Sequence, residues 1–244
     1  MHRFVLSAIT ATAAVVMATG ASASGIGGAS AGDPLHQRSG FDNGHSAGWL
    51  YQRNVPGIMW VDEHHGHDAP AIHHAQAFTQ GSMMFQRRES WLAPLKAGLP
   101  LRIQLDAKAR VVNYLGSPTR RELVVELRDY DNPPEGHPYA SVWTIVGYLD
   151  AVNLPGWRTW GVTIADATSA TLPEGWGGYG AEDELGHPYL PPGRTFADVL
   201  AGADEIAITT FQPGYAYGSD HDFDVLYDNI EVSAAPANTS APTP

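Results

Sequence analysis

The chain has 244 residues, no cysteine, and 26 acidic against 14 basic side chains, a formal charge of −12. The missing thiols exclude a disulfide-stapled scaffold, thiolate metal sites and a cysteine nucleophile. The negative balance excludes nucleic acid and anionic membranes as partners, because phosphate binding needs a basic footprint. It leaves neutral glycans, cations or no ligand at all.

In chain order, residues 1–23 read as a signal peptide. His2 and Arg3 form a short polar start, Phe4 to Met17 an apolar run, and Ala21-Ser22-Ala23 the small residues of a cleavage site. The apolar run is short for a bilayer span, and no other segment approaches the roughly 20 residues required. The expectation is a secreted or extracellular protein, the periplasm included, without membrane insertion. Residues 24–39 are rich in Gly, Ser and Ala and read as a flexible leader, and 233–244 (SAAPANTSAPTP) as a disordered Pro/Ala/Thr/Ser tail. One domain over 40–232 lies between them.

Period-two alternation dominates that domain. Leu99, Leu101, Ile103 and Leu105 alternate with polar residues, as do Leu123, Val125 and Leu127, then Trp160, Val162 and Ile164. Each run has one apolar and one largely polar face, as in antiparallel sheets with one wet side. Val142 to Leu149 is apolar on both faces and reads as a central strand; Ile206 to Phe211 and Phe223 to Val232 complete the set. Turn signals separate the runs at Gly116-Ser117-Pro118, Asp131-Asn132-Pro133-Pro134, Leu154-Pro155-Gly156 and Gln212-Pro213-Gly214. Only Thr195 to Ala201 looks helical, with Thr195 as N-cap and Asp198 three positions on. Many strands and almost no helix predict two packed sheets.

Three segments carry a family resemblance. They are Ser90-Trp91-Leu92-Ala93-Pro94 before the strand Leu99 to Asp106, then Trp157-Arg158-Thr159-Trp160-Gly161-Val162 with Gly175-Trp176 after it, and a closing run. The closing run joins Phe196 to Leu200, Glu205 to Ile208, and Leu226-Tyr227-Asp228-Asn229-Ile230. Their order and spacing over residues 81–232 resemble the laminin B-type (laminin IV) domain, a jelly-roll sandwich related to galactose-binding-like modules. Phe41-Asp42-Asn43-Gly44 is similar to the opening strand of many carbohydrate-binding sandwiches. The expected fold is therefore all-β: a two-sheet antiparallel jelly-roll sandwich with one short helix. The resemblance implies an extracellular, non-enzymatic role in adhesion or ligand binding, with a glycan or matrix polymer as partner.

Three constellations offer chemistry. If Leu226, Ile230 and Val232 face the core, alternation turns Asp228 inward as well, and a buried carboxylate needs donors or a cation. With Asp222, Asp224, Asp42 and Asn43 it forms an oxygen-rich candidate set for a structural calcium. The competing reading has Asp228 accepting backbone hydrogen bonds while the others are solvated. Second, His64, His65, His67, His73 and His74 cluster with Asp62, Glu63 and Asp68, a set able to ligate zinc or copper weakly from a loop. Third, Trp176, Tyr179, Tyr189, Tyr215 and Tyr217 sit in Gly/Pro-rich loops near Glu182. Flat rings stack on pyranose faces and carboxylates bind hydroxyls; alternatively, the rings plug the ends of the sandwich.

The leading expectation is a non-catalytic glycan-binding module. A His-rich transition-metal binder and a polysaccharide-active enzyme are the alternatives. No GxSxG elbow or P-loop is present, and nothing local marks His137, Tyr139 and Arg128, which a lyase would need on one face, as converging.

Overall fold

The computed structural model describes residues 35–51 and 58–234. The expected signal peptide, and the leader and tail up to residue 34 and from 235, lie outside the described residues. The strands in chain order are β1 (His36–Ser39), β2 (Leu50–Tyr51), β3 (Ile58–Asp62), β4 (Ala71–Thr79), β5 (Met83–Gln86), β6 (Leu101–Tyr114), β7 (Ser117–Pro118) and β8 (Arg120–Asp129). There follow β9 (Ala140–Asp150), β10 (Arg158–Ile164), β11 (Trp176–Tyr179), β12 (Ala181–Glu182), β13 (Pro188–Tyr189), β14 (Glu205–Thr209) and β15 (His221–Ala234). Two helices, α1 (Glu89–Lys96) and α2 (Phe196–Ala201), complete the set.

The strands form the expected two-sheet jelly-roll sandwich. Sheet A runs β10-β6-β15-β4-β3, with β1 added to β15 and β7 to β6; sheet B runs β11-β9-β8-β14-β5-β2. The alternating runs turn their apolar sides inward as read, so Ile103 and Leu105 of β6 meet Leu123, Val125 and Leu127 of β8 in one core. The central strand expected at 142–149 is β9, between β8 and β11.

The sequence reading needs three corrections. His36–Ser39, placed in the leader, pairs with β15, and Ser233 and Ala234, placed in the tail, extend that strand. Backbone pairing needs no apolar side chains, so composition alone hid it. A second helix exists as well. Pro94 lies inside α1, and burial of Trp91, Leu92 and Leu95 outweighs the backbone bond that the proline removes. Helix α2 starts as expected: Thr195 Oγ1 accepts from Asp198 N at 3.0 Å and Asp198 Oδ2 from Thr195 N at 2.8 Å.

The third correction concerns Asp228. Its register partner across β6 is Asp106, while Val232 opposes Ile103, and the register shifts between Asp228 and Glu231. Asn229 in that shift has φ of 47°. The bulge reverses the phase, so Leu226 and Asp228 face outward while Ile230 and Val232 enter the core. Asp228 is buried by the loop 63–70, whose His67 and Asp68 backbone N–H groups donate to it at 2.9 and 3.4 Å.

Close approach between the layers makes one glycine obligatory. A methyl group at Gly147 would sit 2.3 Å from the Trp160 ring. Gly147→Ala is therefore expected to destabilise the fold by about 1–3 kcal/mol through overpacking. An unchanged denaturant midpoint would show that Trp160 moves aside freely.

Candidate ligand-binding site

The outer face of sheet B carries charge where a wet face would have been unremarkable. In register across four strands lie Tyr179, Ser141, Arg128 and Glu205. Glu126, two positions before Arg128, occupies the same face. These groups are buried: Glu126, Arg128 and Glu205 expose 8 % or less. Their burial is met by pairing. Arg128 Nη1 donates to Glu205 Oε1 at 2.6 Å and Nη2 to Glu126 Oε2 at 2.5 Å. Arg87 Nε donates to Glu205 Oε2 at 2.5 Å, Ser141 Oγ to Glu126 Oε1 at 2.7 Å, and the Tyr130 hydroxyl to Glu205 Oε1 at 3.2 Å.

Aromatic rings roof this network. The Arg128 guanidinium lies 4.9 Å from the Tyr139 ring centre. Tyr139 contacts Tyr130 and Tyr179, each with ring centres 5.2 Å apart, and His137 meets Tyr179 at 5.2 Å. Burial, reinforced by Glu126, pushes the Tyr139 phenol far above its ordinary pKa. Burial works against the Arg128 charge, but Glu126, Tyr139 and Glu205 outweigh it and hold the guanidinium charged. Beside this roof opens a cleft of 220 Å³ lined by Gln80, Met83, Glu126, Arg128, Tyr139 and Tyr215, among others.

The structure divides the expected loop aromatics. Tyr179 joins the roof and Tyr215 the cleft wall. Tyr189 and Glu182 lie on the β12–β13 hairpin, and Pro188 there touches the loop carrying Tyr215, as the short approach to Gly214 shows. Trp176 instead packs edge-on against Phe196 in the core, the plugging role. Tyr217 braces its own loop: its hydroxyl accepts from Gln212 N at 2.9 Å and its ring lies under the Arg121 guanidinium at 4.4 Å. Sequence reasoning missed Glu126 and Glu205. The available signal was Glu126 and Arg128 two apart on a strand, which put them on one face but left that face apparently wet.

Donors already serve four of the five residues of the oxygen-rich calcium set. Asn43 Oδ1 accepts from His45 N, Asp222 Oδ1 from Phe78 N, and Asp224 pairs with His73 at 2.8 Å and Arg110 at 3.7 Å. Asp228 accepts three backbone N–H groups, including its neighbour Asn229 at 2.7 Å, and Asp42 is exposed beyond β1. Among the described residues the carboxylates close enough to share an ion are Asp129, Asp131 and Asp204, and Arg194 already donates to Asp129 at 2.9 Å.

Of the five histidines, the His65 and His73 rings meet at Asp62. His73 and His74 are adjacent on β4, so they point to opposite faces. His73 bridges Asp62 and Asp224 at 3.0 and 2.8 Å. His74 is buried against Phe223, and burial lowers its pKa. His65 pairs with Asp62 at 2.9 Å and His67 with Asp106 at 2.6 Å, while His64 contributes its backbone N–H to Asp62.

Fold and face together define a jelly-roll β-sandwich with a charged, aromatic-roofed cleft on one outer sheet. No family model matches the chain, so the laminin B-type resemblance has no support beyond the residues that prompted it. No curated protein matches either. Among solved structures, the CBM22-2 xylan-binding domain from Paenibacillus barcinonensis is similar at 13 % identity and TM-score 0.47, covering 82 % of this chain and 99 % of that one. A family 11 carbohydrate-binding module from Clostridium thermocellum, in complex with a β-1,3-1,4-mixed-linked tetrasaccharide, shares 12 % identity at TM-score 0.45, covering 80 % and 94 %. A carbohydrate esterase from the Shiga toxin-encoding bacteriophage phi24B shares 13 % at TM-score 0.41, covering 81 % and 96 %. A fold by itself does not fix a function, so function is argued from the site.

Proposed function

We propose that this protein is an exported, non-catalytic glycan-binding module whose binding surface is the cleft on the outer face of sheet B. The carrying observation is the cleft lining, where the Tyr139 and Tyr215 rings stand beside Gln80, Gln212, Glu126 and Arg128. It places flat rings beside fixed carboxylate, guanidinium and hydroxyl groups, the combination that stacks on a pyranose and orients its hydroxyls. Glu126 and Arg128, the charged residues lining the cleft, balance, so it suits an uncharged sugar.

The same geometry argues against catalysis. His137, Tyr139 and Arg128 do gather on one face, as a lyase requires. Yet Arg128 is committed to Glu126 and Glu205 and has no charge to spare for a substrate carboxylate. The Tyr139 phenol, held protonated, is a poor base.

Xylan and a β-1,3-1,4-mixed-linked tetrasaccharide, the ligands named for two of the similar structures, are the first to test by calorimetry. Tyr215 is 47 % exposed, so Tyr215→Ala removes a wall of the cleft without opening the core. Affinity is expected to fall about five- to tenfold, roughly 1 kcal/mol, with an unchanged melting temperature. Wild-type affinity in this variant, with binding lost on mutating the opposite sheet, would move the site elsewhere.

A further inference from the structure

The outer face of sheet A holds a second cleft, of 320 Å³. Its centre is His67, an exposed loop residue held at three points. Its backbone N–H donates to buried Asp228 at 2.9 Å, its Nδ1 meets Asp106 Oδ2 at 2.6 Å, and its ring stacks on Trp157 at 5.3 Å and 11°. Asp106 is itself fixed by donors, Thr159 Oγ1 at 2.6 Å and Asn229 Nδ2 at 2.9 Å, and Arg38 Nη2 holds Asn229 Oδ1 at 2.8 Å. Burial raises the Asp106 pKa, but the bonds from Thr159, His67 and Asn229 prevail and leave it lowered. A charged Asp106 draws the imidazole proton to Nδ1, which leaves Nε2 as the ring atom available to an outside group.

Locking an exposed side chain costs rotamer entropy, and a merely solubilising loop gains nothing from it. Fixing the ring in the wall of a cleft does gain something. The other walls are Arg38, Asp68, Gln104, Thr159 and Glu231. None is apolar, which excludes a lipid or an apolar peptide. Three acidic groups, counting Asp106, outnumber Arg38 and His67, which excludes an anion. Donors and acceptors alternating around a polar hollow match an uncharged ligand rich in hydroxyl groups, each of which both donates and accepts.

We propose that this cleft is a second saccharide site. Its polymer class rests on the glycan reading above; its geometry does not. With one site on each outer face, the protein bridges two glycan chains, and bridging raises avidity without any new contact.

The full chain is titrated with xylohexaose and with the mixed-linked tetrasaccharide, and mixed with long xylan or β-glucan while turbidity is followed. The double variant Asp68→Ala/Gln104→Ala alters the cleft walls and spares the bonds that hold His67; Tyr215→Ala tests sheet B. Two binding events are expected in the wild type. The double variant loses one of them, by about tenfold in affinity, with an unchanged melting temperature, and each variant still binds but no longer clouds the polymer. A single event that persists in the double variant and fails in Tyr215→Ala overturns the second site and leaves the sheet B reading intact. A single event lost only in the double variant supports the second site and overturns the sheet B one. No binding to either probe overturns both.

Discussion

Replacing Arg128 by methionine is expected to destabilise the protein by about 3–5 kcal/mol, because it strands two buried carboxylates. Glu126 and Glu205 both reach Arg128, and neither has water to fall back on. Arg87 still serves Glu205 and Ser141 still serves Glu126, so the loss belongs at the lower end of that range. The pair itself adds little to stability. Replacing Glu126, Arg128 and Glu205 together by apolar residues of similar volume is expected to recover most of the deficit, since the desolvation of three charges disappears with them. Urea denaturation of the two variants decides. An Arg128→Met midpoint close to wild type would mean that solvent reaches the glutamates, and the sheet B face would then be an open surface rather than a formed cleft.

Asp228→Ala is expected to free the loop 63–70 and cost about 2–3 kcal/mol, from backbone N–H groups left without an acceptor. Removing a buried charge offsets part of this: burial raises the Asp228 pKa, with Asp106 adding to it, while the three N–H donors oppose the rise. Besides Asp228, whose raised value withdraws stability as pH rises through it, the same loop responds to pH through two groups of opposite sign. The lowered Asp106 contributes stability above the unfolded carboxylate value of about 3.9 and loses it as pH falls through its lower folded value. His67 is raised, chiefly by its hydrogen bond to Asp106, with burial opposing and the charges of Asp106, Asp68 and Asp228 assisting. Its contribution is complete below about 6.5 and disappears as pH rises through the raised folded value. Amide exchange at His67 and Asp68 is therefore expected to be slowest between about pH 4 and 6.5 and to quicken on the alkaline side beyond the intrinsic rate. Protection that stays flat from pH 5 to 8, after that correction, would remove the imidazole from the account.

Much of the fold was legible because its rules are local. Alternation in β6, β8 and β10 reports which residues share a face, and Thr195 with Asp198 caps α2 through bonds three residues apart. The candidate site was legible in fragments. Tyr179 and Tyr215 were marked as binders, and His137, Tyr139 and Arg128 as a set lacking any sign of convergence. Glu205 went unnoticed because its partner Arg128 is 77 positions away.

By itself, then, the sequence determined the sheets, the capped helix, and the polar or apolar character of each strand face, since these follow from neighbours within a few residues. Tertiary structure alone decided that β15 bulges at Asn229 and turns Asp228 outward, and that four strands line up Tyr179, Ser141, Arg128 and Glu205. The reason is physical. A period of two says which side chains travel together, but the strand placed alongside, and the loop that covers the face, determine whether a charge there meets water or a partner.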